Sequence, residues 1–413
     1  MKRRVVVTGI GLISPIGTTI EDYWQALING KSGIDYITSF DTTGFDTKFA
    51  AEVKNFDVLY YLDRKEVRRM DTFTQYAVIA SQFAIDDSGL KLEHEDLGKI
   101  GIILGSGIGG MDTLEREYRN YFDKGPQKIS PFFIPMMIPD IAPGYISIRY
   151  GFKGPNYSTI SACASSSHAI GNAFRTILNG EADVMVTGGS EATVTPMGVG
   201  GFNAMKALST RNEEPQKASR PFDAERDGFV IGEGAGILIL EAEQHALKRN
   251  AKIYGEIVGI GYTADAYHIT APALDGDGAT RVMKIALEDA GISIDEVDYI
   301  NAHGTSTPYN DKIETLAIKN VFGDRAYKIP ISSTKSMIGH LLGASGSLEL
   351  IAALLTIKFN KIHPTINYEI PDPECDLDYT PNKAIEKTVE VTISNSFGFG
   401  GHNVCIVAKK YPI

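Results

Sequence analysis

The sequence predicts an α/β fold made of two similar halves, and three observations carry that expectation. Short β-branched runs, "VVVTG", "IGIILGS", "DVMVTGG", "DYINAHG" and "VTISNS", punctuate the chain at intervals, with helical stretches between them. Each run is apolar on both faces, the pattern of strands buried in parallel or mixed sheets. The same units also recur in the same order: "AIDDSGL" at 84–90 is echoed by "ALEDAGI" at 286–292, "ISACASSSHAIG" at 160–171 by "ISSTKSMIGHLLG" at 331–343, and "DVMVTGGS" at 183–190 by "VEVTISNS" at 389–396. An ordered series of echoes carries more weight than any single one, and it divides the chain into halves of about 1–250 and 251–413.

Taken in order, "RRVVVTG" near the N-terminus reads as a first buried strand and not as a signal peptide, because its apolar stretch is short and glycine-broken. "GSGIGG" at 105–110 fits G-x-G-x-x-G after a strand, but no later strand bears the acidic residue a dinucleotide site requires. Those glycines read instead as room for a backbone or ligand to come close. Residues 158–174, "STISACASSSHAIGNAF", run from an extended segment into a helix whose apolar face is Ile170, Ala173, Phe174 and Ile177, stopping at Asn179-Gly180. Cys163 falls on that turn among small residues, at the positive end of the helix dipole. The dipole stabilises an anion by up to ~2 kcal/mol, and ~1.4 kcal/mol is one pKa unit. A thiol near ~8.5 is thereby expected to fall toward ~7 and to be largely thiolate.

Of eight histidines, two stand beside strand ends. His303 lies in "NAHGTSTPYND" and His340 in "STKSMIGHLLGASG", with Lys335 five residues before His340. Glu349 interrupts the apolar segment Leu341–Ile357, which is too short to span a bilayer comfortably and reads as a buried core helix. Lys335 is a candidate partner for that carboxylate. "NSFGFGGHN" at 395–403 exposes backbone amides near the end of the chain. Strand ends and helix starts are where α/β folds place their chemistry, so a site between the halves would collect Cys163, His303, Lys335 and His340.

Composition narrows the class. The net charge of −11 over 413 residues excludes a general nucleic-acid binder. Cysteines at 163, 375 and 405 have neither zinc-site spacing nor a disulfide framework, which fits a reducing cytoplasm. No G-x-S-x-G elbow, P-loop or H-E-x-x-H is present. A thiolate accepts an acyl group as a thioester, and neutral imidazoles donate to an oxygen that gains charge. Glycine-flanked amides supply a second oxyanion site, and two such sites suit enolate formation followed by attack on a thioester. No orienting carboxylate or asparagine stands out for a hydrolytic cysteine–histidine pair.

At this level of detail the chain resembles the β-ketoacyl-acyl carrier protein synthases, and among them the elongating synthase II type. The resemblance covers essentially its whole length: "VVVTGIGLISPIG", "GSGIGGM", "PFFIPMMIPD", "SACASS", "VTGGSEA", "GFNAMKALSTRN", "SRPFDAERDGFVIGEGAG", "DAYHITAP", "NAHGTSTPYND", "SSTKSMIGHLLGASG" and "NSFGFGGHN". It implies a thiolase-like, five-layered αβαβα fold in a homodimer, with no membrane insertion and no metal, nucleotide or flavin cofactor, the phosphopantetheine arriving on an acyl carrier protein. By matching positions it implies Cys163 as nucleophile, and His303 and His340 as the pair that promotes malonyl decarboxylation. Lys335 and Glu349 would support them. The amides of Cys163 and Phe399 would form the thioester oxyanion hole, Thr305 and Thr307 would meet the pantetheine arm, and Ile108, Phe202 and Phe399 would line or gate the acyl pocket. Ile338 stands where a threonine is common. The carrier in this family is acidic and this chain is acidic too, so docking is expected on a local patch: Lys65, Arg68 and Arg69 in "RKEVRRM", with Lys206. A ketosynthase of a polyketide or aryl-polyene pathway is the alternative activity.

Overall fold

The computed structural model describes residues 3–412, so the outermost residues of both halves, 1, 2 and 413, lie outside it. Its fourteen strands, in chain order, are β1 (Val5–Ile13), β2 (Asp35–Tyr36), β3 (Phe49–Ala50), β4 (Ile100–Gly105), β5 (Asn156–Thr159), β6 (Val184–Glu191), β7 (Gly234–Ala242), β8 (Gly255–Ala264), β9 (Tyr299–Asn301), β10 (Ile331–Ser332), β11 (Lys361–Ile362), β12 (Ile385–Glu386), β13 (Val391–Gly398) and β14 (His402–Lys409). Ten of them are joined by hydrogen bonds in the order β10-β9-β13-β14-β8-β1-β7-β6-β4-β5, while β2/β3 and β11/β12 form two small hairpin-like pairs.

The duplication shows in that order. Reading outward from the centre gives β1-β7-β6-β4-β5 on one side and β8-β14-β13-β9-β10 on the other. Pairing types repeat as well: the two outer ladders of each half are parallel (β6/β4 and β4/β5; β13/β9 and β9/β10) and the inner ones antiparallel. Within the ten-stranded sheet, the two halves are joined where Val5–Val7 pairs with Gly255–Ile257. β1 is buried along its whole length, as its apolar run requires.

Two helices lie between the half-sheets. Ser165–Leu178 and Ser345–Phe359 pack against each other and against strands of both halves. Thr72–Ser88 covers the outside of β1, β7 and β6, and Asp277–Ala290 covers β8, β14 and β13. The result is five layers, α-β-α-β-α, of a mixed α/β thiolase-like fold. The apolar segment after Leu341 is therefore the innermost helix, buried from Ser345 through Ile357, and sandwiching between two sheets explains why it lacks a polar face.

One echo needs re-registering. The sequence aligned Ile160 with Ile331, but the structural partner of the 3-10 turn Ala162–Ala164 is Leu342–Ala344, and each turn leads directly into a central helix. Ala162 (φ +51°) and Leu342 (φ +46°) share the left-handed backbone that non-glycine residues rarely adopt, which fixes the correspondence. Cys163 therefore faces Gly343 across the duplication, and "TKSMIGH" is an extra turn that only the second half carries. That extra turn delivers Lys335 and His340.

Candidate active site

Cys163 sits in the turn between β5 and the central helix Ser165–Leu178, with 7 % of its surface exposed. Serines follow it because the backbone there doubles back: the Ser165 hydroxyl donates to the Ala162 carbonyl (2.7 Å) and accepts from the Ser161 amide (2.9 Å). The other half closes on this turn at Gly398, where a Cβ would stand 2.6 Å from the Ser161 carbonyl oxygen and 3.2 Å from the Cys163 nitrogen, so glycine is needed for the approach. Phe399 follows, and its amide N–H is directed at Cys163.

Burial pushes the Cys163 thiol up to about 11, against the pull of the Lys335 ammonium and the Phe399 amide. This corrects the expected thiolate. The helix dipole was legible and the enclosure was not; a dipole worth up to ~2 kcal/mol lowers the pKa by ~1.5 units, too little to reverse the effect of burial. The resting group is a thiol. Its alkylation by iodoacetamide is expected to accelerate with rising pH to a midpoint above about 9, because only the thiolate reacts. A rate that has levelled off by pH 7.5 would contradict this.

His303 follows β9 and His340 ends the extra turn; their rings meet edge to face with centroids 5.4 Å apart. Burial and the nearby Lys335 ammonium hold both imidazoles well below the ordinary histidine range, so both are neutral at physiological pH. Their tautomers follow from their partners. The Nδ1 of His303 faces the Lys335 ammonium at 3.2 Å, and the Nδ1 of His340 accepts from the Leu342 amide (3.2 Å) and lies 2.9 Å from the Ser345 hydroxyl. An ammonium and an amide can only donate, so Nδ1 is unprotonated in both rings and the proton is on Nε2. Two Nε2–H donors are thus left for the cavity that both rings line.

Lys335 is buried behind His303 and spends its three protons on the His303 Nδ1, the His303 carbonyl (2.6 Å) and the Glu349 carboxylate. A buried ion pair persists only when its remaining donors are satisfied, and here the ammonium is saturated. It therefore fixes a ring and contributes charge without touching the cavity. Glu349 is its counter-ion, with burial lifting the carboxyl and the ammonium opposing that.

Several supporting groups gave no signal in the sequence. Glu314 is fully buried and accepts from the amides of His303 and Gly304, both at 2.8 Å, which sets the backbone under the imidazole. Arg226 donates to the carbonyls of Thr307 (3.1 Å) and Pro308 (3.2 Å) and pairs with Asp372 at 2.6 Å, pinning the turn that carries Thr305 and Thr307. These are charged residues among charged residues in the sequence, and only the fold reveals that they are buried.

A single cavity of about 450 Å³ brings together Cys163, His303, His340, Thr305, Thr307, Ile108, Phe202, Phe399 and Lys206. The hydroxyls of Thr305 and Thr307 are 2.9 Å apart within it. Lys65, Arg68 and Arg69 are not part of its lining; they are exposed on and just after the short helix Arg64–Val67, with the Arg69 guanidinium 4.8 Å over the Phe132 ring. The structure thus gathers the candidate reactive and pocket residues around one cavity and leaves the basic segment on the surface.

The fold and this cavity define a ketosynthase-type protein of thiolase-like architecture. Residues 2–246 match the family described as "Beta-ketoacyl synthase, N-terminal domain", and residues 254–369 match "Beta-ketoacyl synthase, C-terminal domain". The chain belongs to the beta-ketoacyl synthase family. It is 55% identical over 410 residues to a 3-oxoacyl-[acyl-carrier-protein] synthase 2 of Synechocystis sp., and 52% identical over 409 residues to the protein of that name from Coxiella burnetii, with 99% of each chain covered in both cases. Among solved structures, a beta-ketoacyl synthase from Burkholderia phymatum superposes with a TM-score of 0.92 at 37% identity, covering all of both chains. A type II polyketide ketosynthase, solved in complex with its acyl-carrier protein, does so with a TM-score of 0.93, also at 37% identity and full coverage.

Proposed function

We propose that the protein is a 3-oxoacyl-[acyl-carrier-protein] synthase of the second type, condensing an acyl thioester with malonyl-acyl carrier protein to give 3-oxoacyl-acyl carrier protein and CO2. The observation that carries the mechanism is the pair of neutral imidazoles, each locked as an Nε2–H donor, in one cavity with Cys163. The Cys163 sulfur adds to the acyl-carrier thioester carbonyl, the oxyanion accepts from the amides of Cys163 and Phe399, and collapse expels the pantetheine thiol, which leaves with the cysteine proton. Malonyl-carrier then enters past Thr305 and Thr307. Its C–CO2⁻ bond breaks, and the electron pair moves onto the thioester oxygen, which the two Nε2–H groups stabilise. The enolate carbon attacks the acyl carbonyl, and Cys163 departs as a thiolate that regains a proton from solvent.

Lys335 and Glu349 act through His303, and Ile108, Phe202 and Phe399 bound the acyl chain. The test is product analysis. Acyl-carrier and malonyl-carrier incubated with the protein are expected to yield a 3-oxoacyl-carrier two carbons longer, whereas free fatty acid alone would indicate a hydrolase. The 55% relative supports fatty-acid elongation over a polyketide or polyene pathway.

The carrier docks on Lys65, Arg68, Arg69 and Lys206 in this reading. Support comes from the exposure of all four and from the position of Lys206 at the cavity. Charge reversal of Arg68 and Arg69 together is expected to raise KM for carrier-borne substrates about tenfold or more with kcat little changed, through lost electrostatic steering. An unchanged KM removes the dock. The protein works as a cytoplasmic homodimer, each chain combining a cysteine-bearing half (1–250) with a histidine-bearing half (251–413). The support for self-association is that β5 is an edge strand of the ten-stranded sheet with open backbone groups, and that Tyr157 on it and Ile160 just after it are exposed. Sedimentation is expected to give twice the chain mass of 44.9 kDa, and a stable monomer would refute the dimer.

A further inference from the structure

The glycine-rich loop 105–110 resembles a phosphate-binding turn, and its amides do hold an anion, but that anion belongs to the chain itself. Glu191, the last residue of β6, is 0 % exposed. Its carboxylate accepts from the amides of Gly107 (2.6 Å), Ile108 (3.2 Å) and Gly109 (3.4 Å), from the Ser106 hydroxyl (3.2 Å), and from the Gly343 amide of the other half (3.0 Å). Four of these five partners can only donate, so the nest favours the ionised carboxylate and opposes the burial that pushes the carboxyl up. A Cβ on Gly107 would stand 2.9 Å from Glu191 Oε2, and one on Gly343 would stand 2.8 Å from it. Both glycines are therefore required for the carboxylate to reach its donors.

The position of this nest gives it a consequence for the reaction. Gly107 and Ile108 line the acyl cavity from one half, and Leu342, next to Gly343, lines it from the other. One carboxylate thus clamps both walls of the acyl pocket to each other. We infer that Glu191 is a positioning residue that sets the acyl chain lengths the pocket admits, by holding the Ser106–Gly109 loop against the Leu342–Ala344 turn. This rests on the reading that Cys163 carries an acyl chain in that pocket.

The test compares Glu191→Gln and Glu191→Ala with the unaltered protein. It measures Cys163 acylation by four-carbon and fourteen-carbon acyl-carriers, alongside decarboxylation of malonyl-carrier. Loss of the clamp is expected to change the fourteen- to four-carbon acylation ratio by about tenfold or more in Glu191→Gln and further in Glu191→Ala, with a smaller change in decarboxylation, which feels the clamp only through the Leu342 amide that donates to His340. A uniform fall in all three rates, or no change in the ratio, overturns the inference. Should both variants misfold, hydrogen exchange in the unaltered protein decides. The amides of Gly107–Gly109 and Gly343 are expected to exchange slowly at rest and faster once Cys163 carries fourteen carbons but not four. Exchange unaffected by chain length would overturn the inference. Failure of the unaltered protein to take any acyl chain would instead sink the underlying reading.

Discussion

Cys163→Ala is expected to lose all covalent acyl adduct and to depress condensation on the order of 10⁴-fold or more, the scale seen when a nucleophile is removed from a preorganised site. The variant should fold normally. The residue has alanines on both sides, and its replacement removes one sulfur from a turn held by the Ser161 and Ser165 hydrogen bonds and not by the thiol. Malonyl decarboxylation is expected to persist in it, because the imidazole donors face the cavity independently of the sulfur. The experiment is thus a separation of half-reactions: acylation absent, CO2 release retained, condensed product absent. Loss of decarboxylation together with acylation would mean that the sulfur and the imidazoles do not divide the chemistry as described.

The complementary result is expected from His303→Ala and His340→Ala. Each removes one Nε2–H donor from a developing oxyanion, which costs about 10²–10³-fold in the step that uses it. Acylation of Cys163 should fall by no more than about tenfold, because its oxyanion is served by backbone amides. The two variants should differ in stability. His303→Ala leaves the buried Lys335 ammonium short of one acceptor, at a cost of about 1–3 kcal/mol, whereas His340→Ala frees only the Leu342 amide and the Ser345 hydroxyl. A lower Tm for His303→Ala than for His340→Ala, with similar losses of condensation, is the expected pattern. Equal acylation and condensation losses would contradict the assigned roles. The pH dependence has a defined sign as well: with both rings held well below the ordinary histidine range, decarboxylation should not decline as pH falls through 6.5.

Much of this was legible because the sequence marks its chemistry with unusual company. All five β-branched runs proved to be strands, and the four candidate catalytic side chains stand at strand ends or helix starts. The antiparallel strands β7 and β14 are not among the five runs, although "SRPFDAERDGFVIGEGAG" leads into the first and "NSFGFGGHN" into the second. The repeat was visible, yet its register slipped by the extra turn at "TKSMIGH", since short echoes of small residues align in more than one way. What a sequence cannot display is enclosure. It turned the expected thiolate of Cys163 into a thiol, and it made Glu191, Glu314 and Arg226 into buried ties that look, as letters, like surface charges. As letters, the glycines at 105–110 signal room for something to come close. The group that came close was Glu191, eighty residues away along the chain.

The central claim is that one sulfur accepts the acyl chain, and peptide mapping after acyl-carrier treatment tests it most directly. Intact mass should rise by one acyl group per chain, the peptide containing Cys163 should carry it as a thioester cleaved by hydroxylamine, and adding malonyl-carrier should discharge it into product. An acyl group found on Cys375, on Cys405 or on no cysteine, with condensation still proceeding, would contradict the account.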